Sequence, residues 1–342
     1  MNTTIQEMAE KLRLYDNYAI VYHIRPDGDC IGSAYALALA LKSIGKTCAV
    51  LGSDPVPMAY RYMTDAVSQD NLRNLVYISV DAMSPQRLGI YAERPYTFCI
   101  DHHRNNSIDA TYKYVEEDCG ACSEIILKLI RAMEIPVTPQ MANFLYMALV
   151  MDTRCFQTYD TSAQSFETAA ALARLGADVY GIGRRHAFIK SEARFKLEEL
   201  LQKSLHFSCG GKLITGIILL KDLETAGIAD SEIEGINSYV EQYADMKIGV
   251  TVRELPDGRS RCSTRTSGNL SANDICAVHG GGGHFHAAVC ELPDPPERAR
   301  IIMEETCRQF LKEEDPSVSC SSGSASYNSP LRRAGCRCPD IH

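Results

Sequence analysis

Histidine and aspartate recur in this chain at the ends of apolar runs, where a fold can gather them. Residues 18–24 lead into His23-Ile24-Arg25-Pro26-Asp27-Gly28-Asp29, residues 75–80 into Asp81, residues 98–100 into Asp101-His102-His103, and residues 144–151 into Asp152. His23, Asp27, Asp29, Asp81, His102 and Asp152 together offer carboxylate oxygens and two imidazoles. That donor set suits Mn²⁺ or Mg²⁺ better than thiolate-loving zinc. Six such side chains are too many for one catalytic ion that must keep open positions. They fit a pair of ions about 3.5–4 Å apart, an arrangement that clamps a phosphoryl group and activates water.

A second constellation lies far downstream. Gly280 through Gly283 precede His284, and four successive glycines let a ligand approach the backbone N–H groups without interference from any Cβ. A phosphate resting against Gly281, Gly282 and Gly283 would find His284 as a donor. Arg265, at the end of an outgoing hairpin strand, would take a second phosphate bidentately. Read alone, Arg261 and Arg265 are ordinary solvated strand arginines.

Positioning these groups requires alternating strands and helices. Residues 18–24, 47–52, 74–81, 96–101 and 110–116 read as strands, and residues 31–44, 121–134 and 138–150 as helices. That alternation predicts a mostly parallel sheet covered on both faces. In such sheets ligands bind beyond the carboxyl ends of the strands, where His23 to Asp29, Asp81 and Asp101 to His103 fall. Residues 163–205 read as helical with a break at Leu175-Gly176-Ala177-Asp178. A strand at 212–220, a hairpin of 247–255 and 259–266 around Pro256-Asp257-Gly258, and helices at 230–243, 272–278 and 295–313 make a second, mixed α/β domain. The expected boundaries are 1–185 for the catalytic domain, 186–206 for a helical connector, 207–315 for a smaller C-terminal substrate-binding domain and 316–342 for a disordered tail. The active site is expected in the cleft between the two domains.

Composition narrows the partners. The chain has 342 residues and a formal net charge of −8, so it carries no overall basic field for long nucleic acid. Small phosphorylated substrates are the better match. The N-terminus lacks a cationic segment followed by an apolar one, and no apolar run approaches a bilayer span, so a cytoplasmic protein without a membrane partner is expected. Most of the 14 cysteines sit within apolar runs and read as small buried hydrophobes. Cys119-Gly120-Ala121-Cys122 has the spacing of half a zinc site, but no second pair follows at a finger-like distance.

These residues resemble the DHH phosphoesterase family, which includes RecJ nucleases and family II pyrophosphatases. The matching motifs are His-Ile-Arg-Pro-Asp-Gly-Asp-Cys-Ile-Gly-Ser (23–33), Val-Asp (80–81), Asp-His-His (101–103) and Met-Asp-Thr (151–153), and the match runs over residues 15–310. Residues 265–288 look like the family's nucleic-acid-type C-terminal domain, which disfavours the pyrophosphatase branch. The resemblance is greatest to the stand-alone NrnA type.

It implies a Mn²⁺-dependent phosphoesterase that degrades short RNA oligonucleotides and converts 3′-phosphoadenosine 5′-phosphate (pAp) to AMP by two-metal hydroxide attack. Linear or cyclic dinucleotides (pApA, c-di-AMP) are the alternative substrates, Mg²⁺ the alternative metal, and a homodimer is compatible with the type. By position, the resemblance gives one ion to His23, Asp27 and Asp81 and the other to Asp29, Asp81, His102 and Asp152. Asp101 would orient its histidine neighbours and His103 would contact the scissile phosphate. A catalytically inactive nucleotide sensor would be marked by the loss of a ligand, and all six positions are filled. The chain departs from the family pattern at Cys30, often alanine, and at Arg154 and Val289, often glycine.

Overall fold

The computed structural model describes residues 3–70, 73–228, 233 and 235–314. The expected tail at 316–342 lies outside the described residues. The chain divides after Lys190 into two units.

The first unit is built on five parallel strands, β1 (Tyr18–Val21), β2 (Cys48–Leu51), β3 (Val76–Val80), β4 (Tyr96–Asp101) and β5 (Ala110–Val115). Their order is β2-β1-β3-β4-β5. Short β-branched and aromatic runs make these strands, and most of their residues are buried because helices cover the sheet. The helices are α1 (Ile5–Leu14), α2 (Gly28–Ser43), α3 (Met58–Thr64), α4 (Cys122–Ala132), α5 (Pro139–Asp152), α6 (Ala163–Arg174) and α7 (Val179–Gly183). Val21 pairs with Ser79 and Val80 with Ile100, so the three central strands run out in register. The loops after them therefore emerge at one edge.

Helices α2 and α5 are nearly apolar all round and pack at very close range. A Cβ on Gly32 would stand 2.4 Å from the Phe144 carbonyl oxygen and 2.7 Å from the Ala148 Cβ. One on Gly28 would stand 2.4 Å from the Met151 Cγ. These glycines, four residues apart on one face of α2, allow the C-terminal end of α5 to lie against the N-terminal end of α2. Asp152 is thereby delivered beside Asp27 and Asp29.

The second unit opens with α8 (Glu192–Ser204), continues through β6 (His206–Ser208), β7 (Leu213–Ile218), α9 (Leu220–Ala226), β8 (Ile248–Glu254), β9 (Ser260–Thr266), α10 (Ala272–Ala277), β10 (Gly282–Gly283) and β11 (Ala287–Leu292), and ends in α11 (Pro296–Glu314). Its six-stranded sheet has the order β10-β11-β9-β8-β7-β6, with only β7 and β8 parallel. The expected hairpin is β8–β9, turning at Gly258 with φ 82°. Helix α8, part of the expected connector, buries Leu197 and Leu201 with Ile218, Leu223 and Ile236 of this unit. Residues 229–232 and 234 of the expected helix at 230–243 lie outside the described residues. The rest of that stretch forms a 3₁₀ turn, Ile236–Gln242, entered at Gly235 with φ 74°. Among the described residues no helix is long and apolar enough to cross a membrane.

Gly32→Ala tests the helix contact. The methyl meets backbone rather than a flexible side chain, so the helices must separate, which should cost about 1–3 kcal/mol of stability. It should also weaken divalent-cation binding by moving Asp152. Urea unfolding and manganese titration check both effects, and a variant as stable as the parent would contradict the packing.

Candidate metal centre

His23, Asp81 and Asp101 to His103 follow or end β1, β3 and β4 at the carboxyl edge of the sheet. Asp27 caps α2, accepting the N–H groups of Asp29 and Cys30 at 3.1 Å each through Oδ1. Its Oδ2 faces His23 Nε2 at 3.4 Å. Asp81 stands at the middle of the group. His23 Nε2 lies 3.8 Å from its Oδ2, while His102 Nε2 and His103 Nδ1 lie 3.4 and 3.6 Å from its Oδ1. His102 Nε2 is also 3.6 Å from Asp152 Oδ2.

Most of these separations exceed good hydrogen-bond length. Ligand atoms each about 2.1 Å from an ion stand about 3.0–3.4 Å apart in octahedral or tetrahedral geometry. Asp81 is only 2% exposed, and its Oδ1 has no hydrogen-bond partner. A buried carboxylate oxygen left unsatisfied is costly unless something else meets it. Oxygen and imidazole donors grouped around that atom fit a divalent cation. Among the described residues three sets lie close enough to share an ion, namely His23 with Asp27, Cys30 and Asp81, then Asp81 with His102 and His103, and Asp29 with His102 and Asp152.

The surrounding backbone orients the donors. His102 Nδ1 lies 3.1 Å from the Cys119 carbonyl, so an Nδ1–H donates there and leaves the Nε2 lone pair facing Asp81 and Asp152. His23 Nδ1 lies 2.9 Å from the Ile24 carbonyl and 3.1 Å from Arg87 Nη2, and the tautomer that donates to Ile24 frees Nε2 in the same way. Asp29 is 1% exposed and accepts the backbone N–H groups of Cys122 and Ser123 and the Ser33 hydroxyl. The Cys119/Cys122 pair, whose spacing hints at zinc, thus contributes main-chain groups, and both thiols are free and buried. Asp101 Oδ1 accepts from His103 Nδ1 at 2.8 Å, and its Oδ2 accepts from the Asn106 amide at 2.5 Å. His103 is therefore held through Nδ1. Asp81 itself adopts φ 56°, left-handed backbone that costs about 1–3 kcal/mol for a non-glycine residue.

Without a cation the charges conflict. Burial, followed by the charges of Asp81 and Asp152, pushes the Asp29 carboxyl well above the usual range. Burial also raises Asp152, to about 6, with Asp81 and Asp27 adding to it and His102 opposing. Burial opposes charge on His102, yet the neighbouring carboxylates of Asp81, Asp152 and Asp29 raise it well above the usual imidazole value. Asp27 runs the other way. His23 and the backbone N–H of Cys30 overcome burial and hold its carboxyl below the usual range. Two of the acids are thus driven toward neutrality when no metal balances them.

The second constellation lies in the second unit and differs in kind from its expectation. Gly280 N–H donates to the Ala277 carbonyl, Gly281 N–H to Cys276, and Gly283 N–H to Asn273 Oδ1, so three of the four donors are spent within the protein. The need for glycine is steric. A Cβ on Gly281 would meet the Val289 carbonyl at 2.3 Å, and one on Gly283 the Ala287 carbonyl at 2.5 Å. Gly282 and Gly283 remain exposed, as does His284 in the turn before β11. Arg265 on β9 pairs across the sheet with Ala287, and its Nε lies 3.1 Å from Glu241. It is an ion-paired, half-buried residue rather than a solvated one.

Sequence reasoning missed Asn106, Arg87, Ser33 and the backbone of 119–123, all of which orient ligand candidates. Asn106 had a signal in its position three residues after His103. Ser33 bonds Asp29 one turn away on α2, while Arg87 and residues 119–123 act through contacts distant in sequence.

Asp152→Asn tests the charge conflict. A carboxyl with a raised folded pKa destabilises the fold above that pKa and ceases to do so when protonated. Metal-free Asp152→Asn should therefore melt higher than the metal-free parent at pH 8. The difference should shrink as pH falls through about 6 toward the unfolded value of about 4. Saturating Mn²⁺ should reverse the order, because the parent gains binding energy that the variant lacks. Melting curves over pH, with and without Mn²⁺, decide it. Equal melting at pH 8 would contradict the assignment.

Residues 17–149 match the DHH family, N-terminal domain. The chain is 26% identical over 311 residues to the bifunctional oligoribonuclease and PAP phosphatase NrnA of Mycoplasma genitalium, covering 88% of this chain and 96% of that protein. It is 28% identical over 280 residues to the protein of the same name from Thermus thermophilus, covering 80% and 83%. Among solved structures, an exopolyphosphatase-related protein from Bacteroides fragilis superposes with a TM-score of 0.80 at 19% identity, over 92% of this chain and 97% of that one.

Proposed function

We propose that this chain, whose residues 17–149 form a DHH-family N-terminal domain, is a phosphoric ester hydrolase that uses two divalent cations, Mn²⁺ first among them, to cleave short oligoribonucleotides to mononucleotides and pAp to AMP. The observation that carries the reading is the convergence of His23, Asp27, Asp29, His102 and Asp152 on Asp81, with its buried and unpartnered Oδ1. The two relatives named as oligoribonuclease and PAP phosphatase supply the substrate class.

His23, Asp27 and Asp81 would hold one cation, and Asp29, His102 and Asp152 the other, with Asp81 shared. Cations bound there lower the pKa of a water and neutralise phosphoryl charge. His103, fixed by Asp101, presents Nε2 as a donor to a phosphate oxygen or to the leaving oxygen. Arg265 and His284 are the second unit's candidates for holding a further phosphate, through side chains rather than free backbone N–H groups.

Charge selects length. A chain of net charge −8 gains little from the counterion release that drives binding to long phosphate backbones. Initial rates should be measured with Mn²⁺ on pAp, pApA, c-di-AMP, pyrophosphate and RNA from two to about twenty nucleotides at equal 5′-end concentration. Hydrolysis of pAp and of di- and trinucleotides is expected to dominate, falling steeply with length. A rate that holds or rises toward the longest RNA would overturn the short-substrate reading. His284→Ala should lower kcat/KM for pAp at least about tenfold with bound manganese unchanged, and a parallel loss of metal would place this histidine in the metal centre instead.

A further inference from the structure

Among the described residues, Cys30 is a donor beside Asp81 that the proposed function leaves unused. It lies in the first turn of α2, one residue after Asp29, and is fully buried. Its Sγ, His23 Nε2 or Nδ1, and a carboxylate oxygen from each of Asp27 and Asp81 all lie within 4.8 Å of one another. Donor atoms about 2.0–2.3 Å from a common ion stand about 3.3–3.8 Å apart in a tetrahedral shell, so side-chain shifts of about 1 Å bring all four onto one centre. The thiol is held only loosely, by a weak bond at 3.5 Å to the Asp27 carbonyl. Asp81, 2% exposed, turns its Oδ2 to this side, 3.8 Å from His23 Nε2.

We propose that His23, Asp27, Cys30 and Asp81 form a selectivity site that takes a thiophilic four-coordinate cation, Zn²⁺ in particular, in competition with Mn²⁺. The inference rests on the reading of this cluster as a divalent-cation centre. Manganese prefers oxygen and nitrogen and leaves the thiol protonated, whereas zinc takes thiolate readily and binds more tightly to most donor sets. On zinc binding the thiol proton passes to solvent and a sulfur–zinc bond forms, with no change of oxidation state. Four protein donors complete a tetrahedral shell. Such closed shells are structural, because catalysis needs a position left for water or substrate. Zinc at this position therefore occupies the centre without serving the reaction and acts as an inhibitor.

The test uses the full chain, stripped of metal, as the parent and as Cys30→Ala and Cys30→Ser. Co²⁺ is titrated as a spectroscopic substitute for zinc, and Zn²⁺ and Mn²⁺ dissociation constants are measured by competition with a chelating indicator. The parent is expected to show a thiolate-to-cobalt charge-transfer band that both variants lack. Zinc affinity should fall at least about 100-fold in Cys30→Ala, beyond the 10–100-fold typical of residues that only support a ligand. Manganese affinity should move by less than about threefold, since Mn²⁺ does not use sulfur. Manganese binding by both variants also shows that they are folded. A parent that binds Mn²⁺ but gives no cobalt–thiolate band, or a Cys30→Ala variant that keeps parental zinc affinity, would overturn the thiolate site and leave the metal centre standing. A parent that binds neither Mn²⁺ nor Co²⁺ would overturn the metal centre, and this inference with it.

Discussion

Four carboxylates held together, two of them almost fully buried, repel one another, and the first unit is organised around that repulsion. Asp27 with Asp29, Asp81 and Asp152 come from three different points of the chain, and Asp29 and Asp81 are the buried pair. Burying ionised carboxylates without compensation is expensive enough that groups neutralise instead. Asp29 and Asp152 show that response in their raised pKa values. A centre that would sooner take up protons has the charge conflict that a divalent cation would relieve.

The fold meets this constraint with rigid parts. Parallel register sends three strand ends to one edge, so His23, Asp81 and the Asp101–His103 segment need only short loops to meet. The glycine contact between α2 and α5 brings in Asp152 with almost no space between helices. Main-chain groups around Cys119 to Ser123 then lock Asp29 and His102. Asp81 carries the remaining strain in its left-handed backbone, secured by its N–H bond to Ile100 at 3.0 Å. Each donor is fixed by something that does not move easily, as a site that must bind ions at set distances requires.

Much of this was legible in the sequence. The parallel strands announced themselves as short apolar runs with turn residues after them, and each metal-type side chain sat at a run's end. Helices α4, α5 and α11 fall where the sequence places them. Helix α1 was missed because its polar face dominates its composition. Strand β11 was missed because Ala287-Ala288 carries no β signal of its own, and its strand character comes from pairing with β9. The glycine run differs from what its composition suggests. Four glycines suggest free N–H groups, yet those of Gly280, Gly281 and Gly283 go to α10 carbonyls and Asn273, and Gly281 and Gly283 leave no room for a Cβ. Hydrogen bonds between distant segments, like those from Asn106 to Asp101 or Cys122 to Asp29, leave no periodic trace to read.

The proposed chemistry depends on Asp81 being shared between two cations rather than serving one. Electron paramagnetic resonance of the manganese-loaded protein tests this directly, because two Mn²⁺ ions bridged by one carboxylate couple their spins. At two equivalents of Mn²⁺ the parent should show a spin-coupled spectrum that collapses to an isolated-ion signal in Asp81→Asn. An isolated-ion signal from the parent at every loading would contradict a shared Asp81.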